Sequence, residues 1–173
     1  MKAVYQMKKV TILLLFATLN SFALSAQYTD LYTFEKGKSI IGANVGVKLS
    51  KNHRTAITTF YEYGLTNLFA DECMLGGGFF GGFYKNSLGN EVERIYITGL
   101  RLNIHYQFVD RLDTYVGIDP NFNFNTYKLK ENEAKFACYF HIGGRYYLFN
   151  WLGVFAEIST GHNNISGGIS VKF

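Results

Sequence analysis

The chain has 173 residues, of which 17 are Lys or Arg and 13 are Asp or Glu; 48% are hydrophobic, 17% aromatic and one is Pro. That length suits one domain, and no Pro/Ser-rich stretch or charge run divides it. Lys2, Lys8 and Lys9 fall within the first 26 residues, which hold no acid, so the remainder carries 14 basic against 13 acidic residues. A nearly neutral chain excludes the basic footprint of a nucleic-acid-binding protein.

In chain order, Lys8 and Lys9 precede the apolar run Val10 to Leu19, and Ala23, Ser25 and Ala26 precede Gln27. A charged start, a short apolar middle and small residues at a cleavage point mark a secretory signal peptide. Cleavage is expected after Ala26, with Ala23-Leu24-Ser25 offering a site one residue earlier. A spanning helix would need roughly 20 apolar residues, about twice this run. The division expected is therefore signal peptide 1–26, a short periplasmic lead 27–37 and one domain over 38–173.

After Gly37 the pattern has period two almost without interruption, which predicts an all-β chain. Ile41, Ala43, Val45, Val47 and Leu49 oppose Gly42, Asn44, Gly46 and Lys48; Ile57, Tyr61, Tyr63 and Leu65 oppose Thr58, Phe60, Glu62 and Gly64. The segment Cys73 to Tyr84 carries Gly and Phe at both parities, so its faces stay open. Next, Tyr96, Leu100, Leu102, Ile104, Tyr106 and Phe108 alternate with Gly99, Arg101, Asn103, His105 and Gln107. From Leu112 to Tyr127, Leu112, Val116, Ile118, Pro120, Phe122 and Phe124 oppose Asp113, Tyr115, Gly117, Asp119 and three Asn. Phe136, Cys138, Phe140, Ile142, Gly144, Tyr146 and Leu148 then oppose Tyr139, His141, Gly143, Arg145 and Tyr147. The last hairpin sets Leu152, Val154, Ala156 and Ile158 against Phe155, Glu157 and Ser159, and Ile165, Ile169, Val171 and Phe173 against Ser166, Ser170 and Lys172.

These are eight strands, the smallest count for a bacterial membrane barrel, whose spanning strands need about 9 to 11 residues each. From a periplasmic N-terminus, Thr66 to Ala70, Val109 to Arg111 and Phe149 to Trp151 become periplasmic turns; Lys51 to Arg54, Lys85 to Glu93, Lys128 to Ala134 and Gly161 to Asn164 become outer loops. A soluble lipocalin-like carrier would turn its apolar set inward, and a membrane barrel turns it outward. Three features favour the membrane: the apolar face is nearly free of charge, the aromatics gather near strand ends, and a signal peptide occurs with a terminal aromatic. The end aromatics are Tyr61, Tyr63, Tyr106, Phe108, Phe149, Trp151 and Phe173 on one side and Phe122, Phe124, Tyr127 and Phe136 on the other, as interfacial girdles require.

The terminal strand Asn164-Ile165-Ser166-Gly167-Gly168-Ile169-Ser170-Val171-Lys172-Phe173 resembles the closing strand of Gram-negative outer-membrane barrels. The whole mature chain is similar to the small OmpA/OmpX-type group. The resemblance implies an eight-stranded antiparallel up-and-down transmembrane β-barrel in the outer membrane. It also implies that Ile169, Val171 and Phe173 are recognised by the barrel-assembly machinery, with outer-membrane lipid and lipopolysaccharide as surroundings.

A lumen this narrow is filled by side chains. Lys48, Glu62, Arg101, His105, Asp113, Asp119, His141, Arg145, Glu157 and Lys172 all point into it on this reading, with Arg101 opposite Asp119 and Arg145 diagonal to Glu157. Such a set reads as a paired polar core or, more sharply, as a gated ion or proton path. Glu157, Ser159 and His162 invite comparison with the Ser-His-acid triad of a lipid A-modifying barrel, but Ser159 and Glu157 share the lumen face, away from lipid. The run Leu75 to Phe83 lacks the Lys-Ser/Thr and the helix of a phosphate loop, and its glycines suit a tightly curved strand. Cys73 and Cys138 fall on non-adjacent strands and are expected to stay free, either buried or lipid-facing. No catalytic, metal or cofactor site is expected, and the surface ligand stays open. The function expected is a non-enzymatic role in envelope structure, adhesion or surface interaction, with a lipid A-modifying enzyme or a soluble carrier as alternatives.

Overall fold

The structure is a computed structural model and describes residues 34–49, 54–70, 72–88, 91–125 and 134–173. The signal-peptide segment, most of the lead and most of the loops Lys51 to Arg54 and Lys128 to Ala134 lie outside the described residues. Eight strands follow in order: β1 (Ser39–Lys48), β2 (Arg54–Asn67), β3 (Cys73–Leu88), β4 (Glu91–Val109), β5 (Leu112–Asn125), β6 (Lys135–Tyr147), β7 (Leu152–Ser159) and β8 (Ile165–Lys172). Each pairs antiparallel with its successor, and β1 pairs with β8 to close the barrel. At the seam Ile41 faces Val171 and Ala43 faces Ile169. Phe173 supplies the last rung: its carbonyl accepts from Ser39 N at 2.8 Å and its N–H donates to Ser39 O at 2.9 Å.

The two faces are inverted relative to a water-soluble protein. Ile142, Ile158, Ile169 and Phe140 are more than half exposed on the outside, whereas Glu62 and Arg145 are completely buried within. Burying charge while exposing isoleucine is stable only where hydrocarbon replaces water outside. The girdle aromatics meet in pairs on the outer wall: Tyr106 with Phe108 (4.6 Å between centroids), Phe122 with Phe136 (5.5 Å) and Phe149 stacked on Trp151 (6.1 Å).

The faces of β3, unreadable from period two, are settled by register. Met74, Phe80 and Tyr84 are buried in the interior, and Phe79 points out. The inward glycines are steric necessities: a Cβ on Gly78 would stand 1.9 Å from the Tyr61 carbonyl oxygen, and one on Gly76 would stand 2.6 Å from Glu62 Oε1. Pro120 lies in a gap of the β4–β5 ladder, between the pairs Gly99–Asn121 and Leu102–Ile118, because it has no N–H to donate there.

One expected loop is corrected. The segment Lys85 to Glu93 is mostly strand, with Lys85 opposite Arg94 and Leu88 opposite Glu91; Gly89 and Asn90 lie outside the described residues. Antiparallel backbone pairing continues across these positions whatever the polarity of the side chains they carry. Asp110 and Arg111 alone join β4 to β5, and Arg111 there takes the left-handed conformation (φ 64°).

Candidate functional site

The lumen is the chemically distinctive region of the molecule. Period two turns Glu62 (β2), Arg101 and His105 (β4), Asp113 and Asp119 (β5), His141 and Arg145 (β6) and Glu157 (β7) inward, and all of them are buried. Neighbouring strands place them at successive heights, and their contacts run as one chain.

Arg101 grips Asp119 with two parallel bonds, Nε to Oδ1 at 3.1 Å and Nη2 to Oδ2 at 3.0 Å, and reaches Glu157 Oε1 through Nη1 at 2.8 Å. Tyr115 donates its hydroxyl to the same Glu157 oxygen at 2.9 Å. Asp119 Oδ2 lies 3.3 Å from His141 Nδ1. His141 Nε2 meets Asn103 Oδ1 at 2.7 Å, while Asn103 Nδ2 donates to Glu62 Oε1 at 2.7 Å. Because the carboxylate only accepts, the Asn103 amide is fixed with its oxygen toward His141, whose Nε2 must donate. His105 lies between two carboxylates, Nε2 to Glu62 Oε1 at 2.7 Å and Nδ1 to Asp113 Oδ1 at 2.8 Å, so both ring nitrogens donate. Asp113 Oδ2 closes the chain on Arg145 Nη1 at 2.9 Å.

Four carboxylates thus lie within reach of two guanidiniums and two imidazole rings. Aromatic rings fill the space between: Arg101 lies 4.9 Å over Phe60, and Arg145 lies 5.1 Å over Tyr115 and 5.7 Å over Phe60. A charged interior is tolerable when each charge is both paired and hydrogen-bonded, and this arrangement largely meets that condition.

Arg101 and Asp119 meet as their register predicts, but Arg145 and Glu157 form no pair. Asp113 stands directly opposite Arg145 across β5–β6, whereas Glu157 sits opposite Gly143 and is taken by Arg101 from across the lumen. A facing partner on the adjacent strand prevails over a diagonal one. Lys48 stands apart from the chain at the rim, donating Nζ to Gly161 O at 2.9 Å, and Lys172 lies 4.8 Å over the Tyr147 ring. Ser159, His162 and Glu157 do not form a triad: Ser159 Oγ accepts from Gly161 N at 2.9 Å, and neither ring nitrogen of His162 has a hydrogen-bond partner. Cys73 and Cys138 are both free, the first buried and the second exposed on the wall.

Sequence reasoning missed the residue that closes the other end. Phe34, in the lead, enters the barrel with its ring 4.5 Å from His105 and packs into the buried cluster with Ile40 and Met74. The lead crosses β2 at Gly64, where a Cβ would meet Glu35 O at 2.2 Å, and is tied there by Gly37 N donating to Gly64 O at 2.9 Å. The available signal was a bulky aromatic in the lead together with glycines at inward positions of β2 and β3: Gly64, which lets Glu35 pass, and Gly76, where a Cβ would stand 3.1 Å from the Phe34 ring.

No protein-family model matches the chain, and no curated protein matches it in sequence. Solved structures do resemble it. A de novo designed transmembrane β-barrel aligns with 80% of this chain and 98% of its own, at 18% identity and TM-score 0.53. Ail, the attachment invasion locus protein of Yersinia pestis, aligns over 80% of this chain and 99% of its own, at 9% identity and TM-score 0.50. A structure of Ail with the heparin analogue sucrose octasulfate gives 11% identity and TM-score 0.52 over the same shares. At these identities the likeness speaks for the fold, and the chain has the fold of the small eight-stranded transmembrane β-barrels.

Proposed function

We propose that the chain resides in the outer membrane and acts there, without enzymatic chemistry, through its outer surface, in adhesion or another surface interaction within the envelope. The observation that carries this reading is a protruding sheet with an open edge. β3 to β6 are 13 to 19 residues long, but β7 and β8 have eight each. β7 pairs only with His141 to Tyr147 of β6. Thr160 then takes the backbone of Phe140, donating N–H to its carbonyl at 2.9 Å and accepting its N–H on Oγ1 at 3.0 Å. Beyond that point, among the described residues, no strand covers the β7 side of Lys135 to Tyr139.

By the alternation of a strand, Cys138 and Phe136 turn their N–H and C=O groups toward that open side. An uncovered edge is a template on which a partner can add a strand. The paired, filled lumen supports the same reading, since it directs interaction to the exterior. Ail contributes a ligand class to test, because one of its structures holds a sulfated saccharide analogue.

The test compares cells displaying the native chain, cells displaying Cys138→Pro, and cells lacking the chain. Binding to heparin-coated and host-protein-coated surfaces is measured alongside the mass of lipid A. The reading expects display to raise adherence, with the Pro variant losing most of the gain where pairing is backbone-mediated. Adherence equal to that of cells lacking the chain, or a lipid A mass change on display, would overturn it.

A further inference from the structure

The connection between β7 and β8 is built as a plug. Gly161, His162 and Asn163 are buried although they lie outside any strand. The loop is tied to β1 on both sides of its tip: Lys48 Nζ donates to Gly161 O, Asn164 N donates to Val47 O at 2.9 Å, and Leu49 N donates to Asn164 Oδ1 at 3.0 Å. Two glycines clear its seat. A Cβ on Gly46 would stand 2.2 Å from Asn163 Nδ2, and one on Gly161 would stand 2.6 Å from the Tyr139 ring.

At the tip, the His162 ring sits in an aromatic box. Tyr139, Tyr84 and Phe80 lie 6.0, 6.3 and 6.4 Å from it between centroids, the last two nearly parallel to it. Beneath the ring a small cavity of about 10 Å³, room for about one water, borders Arg101, Asp119, His141 and Glu157. His162 therefore covers one end of the buried charge network, with both ring nitrogens unpartnered in a place that holds it neutral.

We propose that this loop is an acid-released latch: protonation of His162 drives its ring out of the aromatic box and opens the barrel mouth onto the Arg101–Asp119–Glu157 end of the network. The groups facing His162 come from most of the wall. They are Lys48 from β1, Tyr84 from β3, Arg101 from β4, Asp119 from β5, Tyr139 and His141 from β6 and Glu157 from β7, while β2 contributes Thr58, which does not titrate. Burial opposes the imidazolium most strongly; Asp119 and Glu157 favour it, Arg101 and Lys48 oppose it, and the seated ring is held down to about 4 from an ordinary 6.5.

The sign follows from proton binding. Between pH 6.5 and 4 the released imidazole binds a proton that the seated one refuses, so acid favours release. Each pH unit in that window multiplies the open-to-closed ratio roughly tenfold, saturating near 300-fold below pH 4.

The test is hydrogen exchange on the full mature chain in lipid nanodiscs, expressed as protection factors so that the intrinsic pH dependence of exchange is removed. From pH 7.5 to 4.5, the Gly161 and Asn164 amides of the native chain are expected to lose about 70-fold in protection, while amides of the β6–β7 ladder hold theirs. In His162→Phe, which keeps an apolar ring in the box, the loop is expected to stay protected at both pH values. A native loop equally protected at both, or a Phe variant that loses protection like the native chain, overturns the latch. If the Phe variant does not fold, NMR titration of the His162 ring in the native chain decides: a ring that titrates between 4 and 6.5 while the Gly161 and Asn164 amides lose protection supports the latch, and a ring that titrates with the loop still closed overturns it.

Discussion

Replacing Arg101 by Met probes the interior network at its most connected point. The guanidinium makes three charge-assisted bonds, two to Asp119 and one to Glu157, at 2.8 to 3.1 Å, and both carboxylates are buried. Met retains much of the volume over Phe60 but leaves two carboxylates without their main cation. Tyr115 still donates to Glu157, and His141 still faces Asp119, so isolation is incomplete. Removing one partner of a buried pair costs about 3–5 kcal/mol, and the residual contacts place Arg101→Met near the lower figure, about 3 kcal/mol. The triple variant Arg101→Met, Asp119→Asn, Glu157→Gln removes the stranded charges as well and is expected to recover at least half of the loss. Urea unfolding in lipid vesicles reads both, through the shift between folded and unfolded gel mobility and the fluorescence of Trp151, the single Trp. A loss below about 1 kcal/mol for the single variant, or a triple variant as unstable as the single one, would refute the network as a set of interdependent charges.

Three further substitutions test other parts of the account. Phe34→Ala removes the ring that packs on His105 and is expected to lower stability by about 3 kcal/mol at unchanged strand content, seen as a lower urea midpoint with unchanged circular dichroism. No change in midpoint would mean that the lead does not occupy the barrel. Gly78→Ala sets a methyl group against the Tyr61 carbonyl, a backbone atom that moves only if β2 and β3 part, and is expected to cost about 1–3 kcal/mol in the same assay. Gly144→Ala, whose added Cβ meets only Leu112 Cδ1 at 3.9 Å, should stay within about 0.5 kcal/mol; equal losses from the two would contradict the assigned faces.

Seven strands were legible because, over the spans that alternate (β4 from Tyr96 on), charge keeps to one parity, and a two-residue period needs no distant information. β3 was not, since Gly and Phe occupy both of its parities and only its register against β2 and β4 distinguishes them. The members of the polar core could be read from parity, but only the pair on adjacent strands could be read from register. Arg101 and Asp119 are cross-strand neighbours, whereas the bond from Arg101 to Glu157 spans the lumen and depends on closure of the sheet. Phe34 and His162 were hidden for a related reason. Both belong to connecting segments, where period two says nothing, and each is placed by what the barrel mouth lacks: a ring to cover His105 at one end and a plug over Asp119 and Glu157 at the other.

The apolar parity meets lipid and the charged parity fills the interior. A spin label moved one position at a time along β6 and β8 in bilayers tests it, by comparing relaxation by oxygen, which concentrates in hydrocarbon, with relaxation by a water-soluble nickel chelate. Labels at Phe140, Ile142, Ile165 and Ile169 are predicted to favour oxygen strongly, and labels at Gly143, Ser166 and Ser170 to be shielded from it, giving a period of two along each strand. Strong relaxation by the nickel chelate at Ile142 and Ile169 would place that face in water and contradict the account.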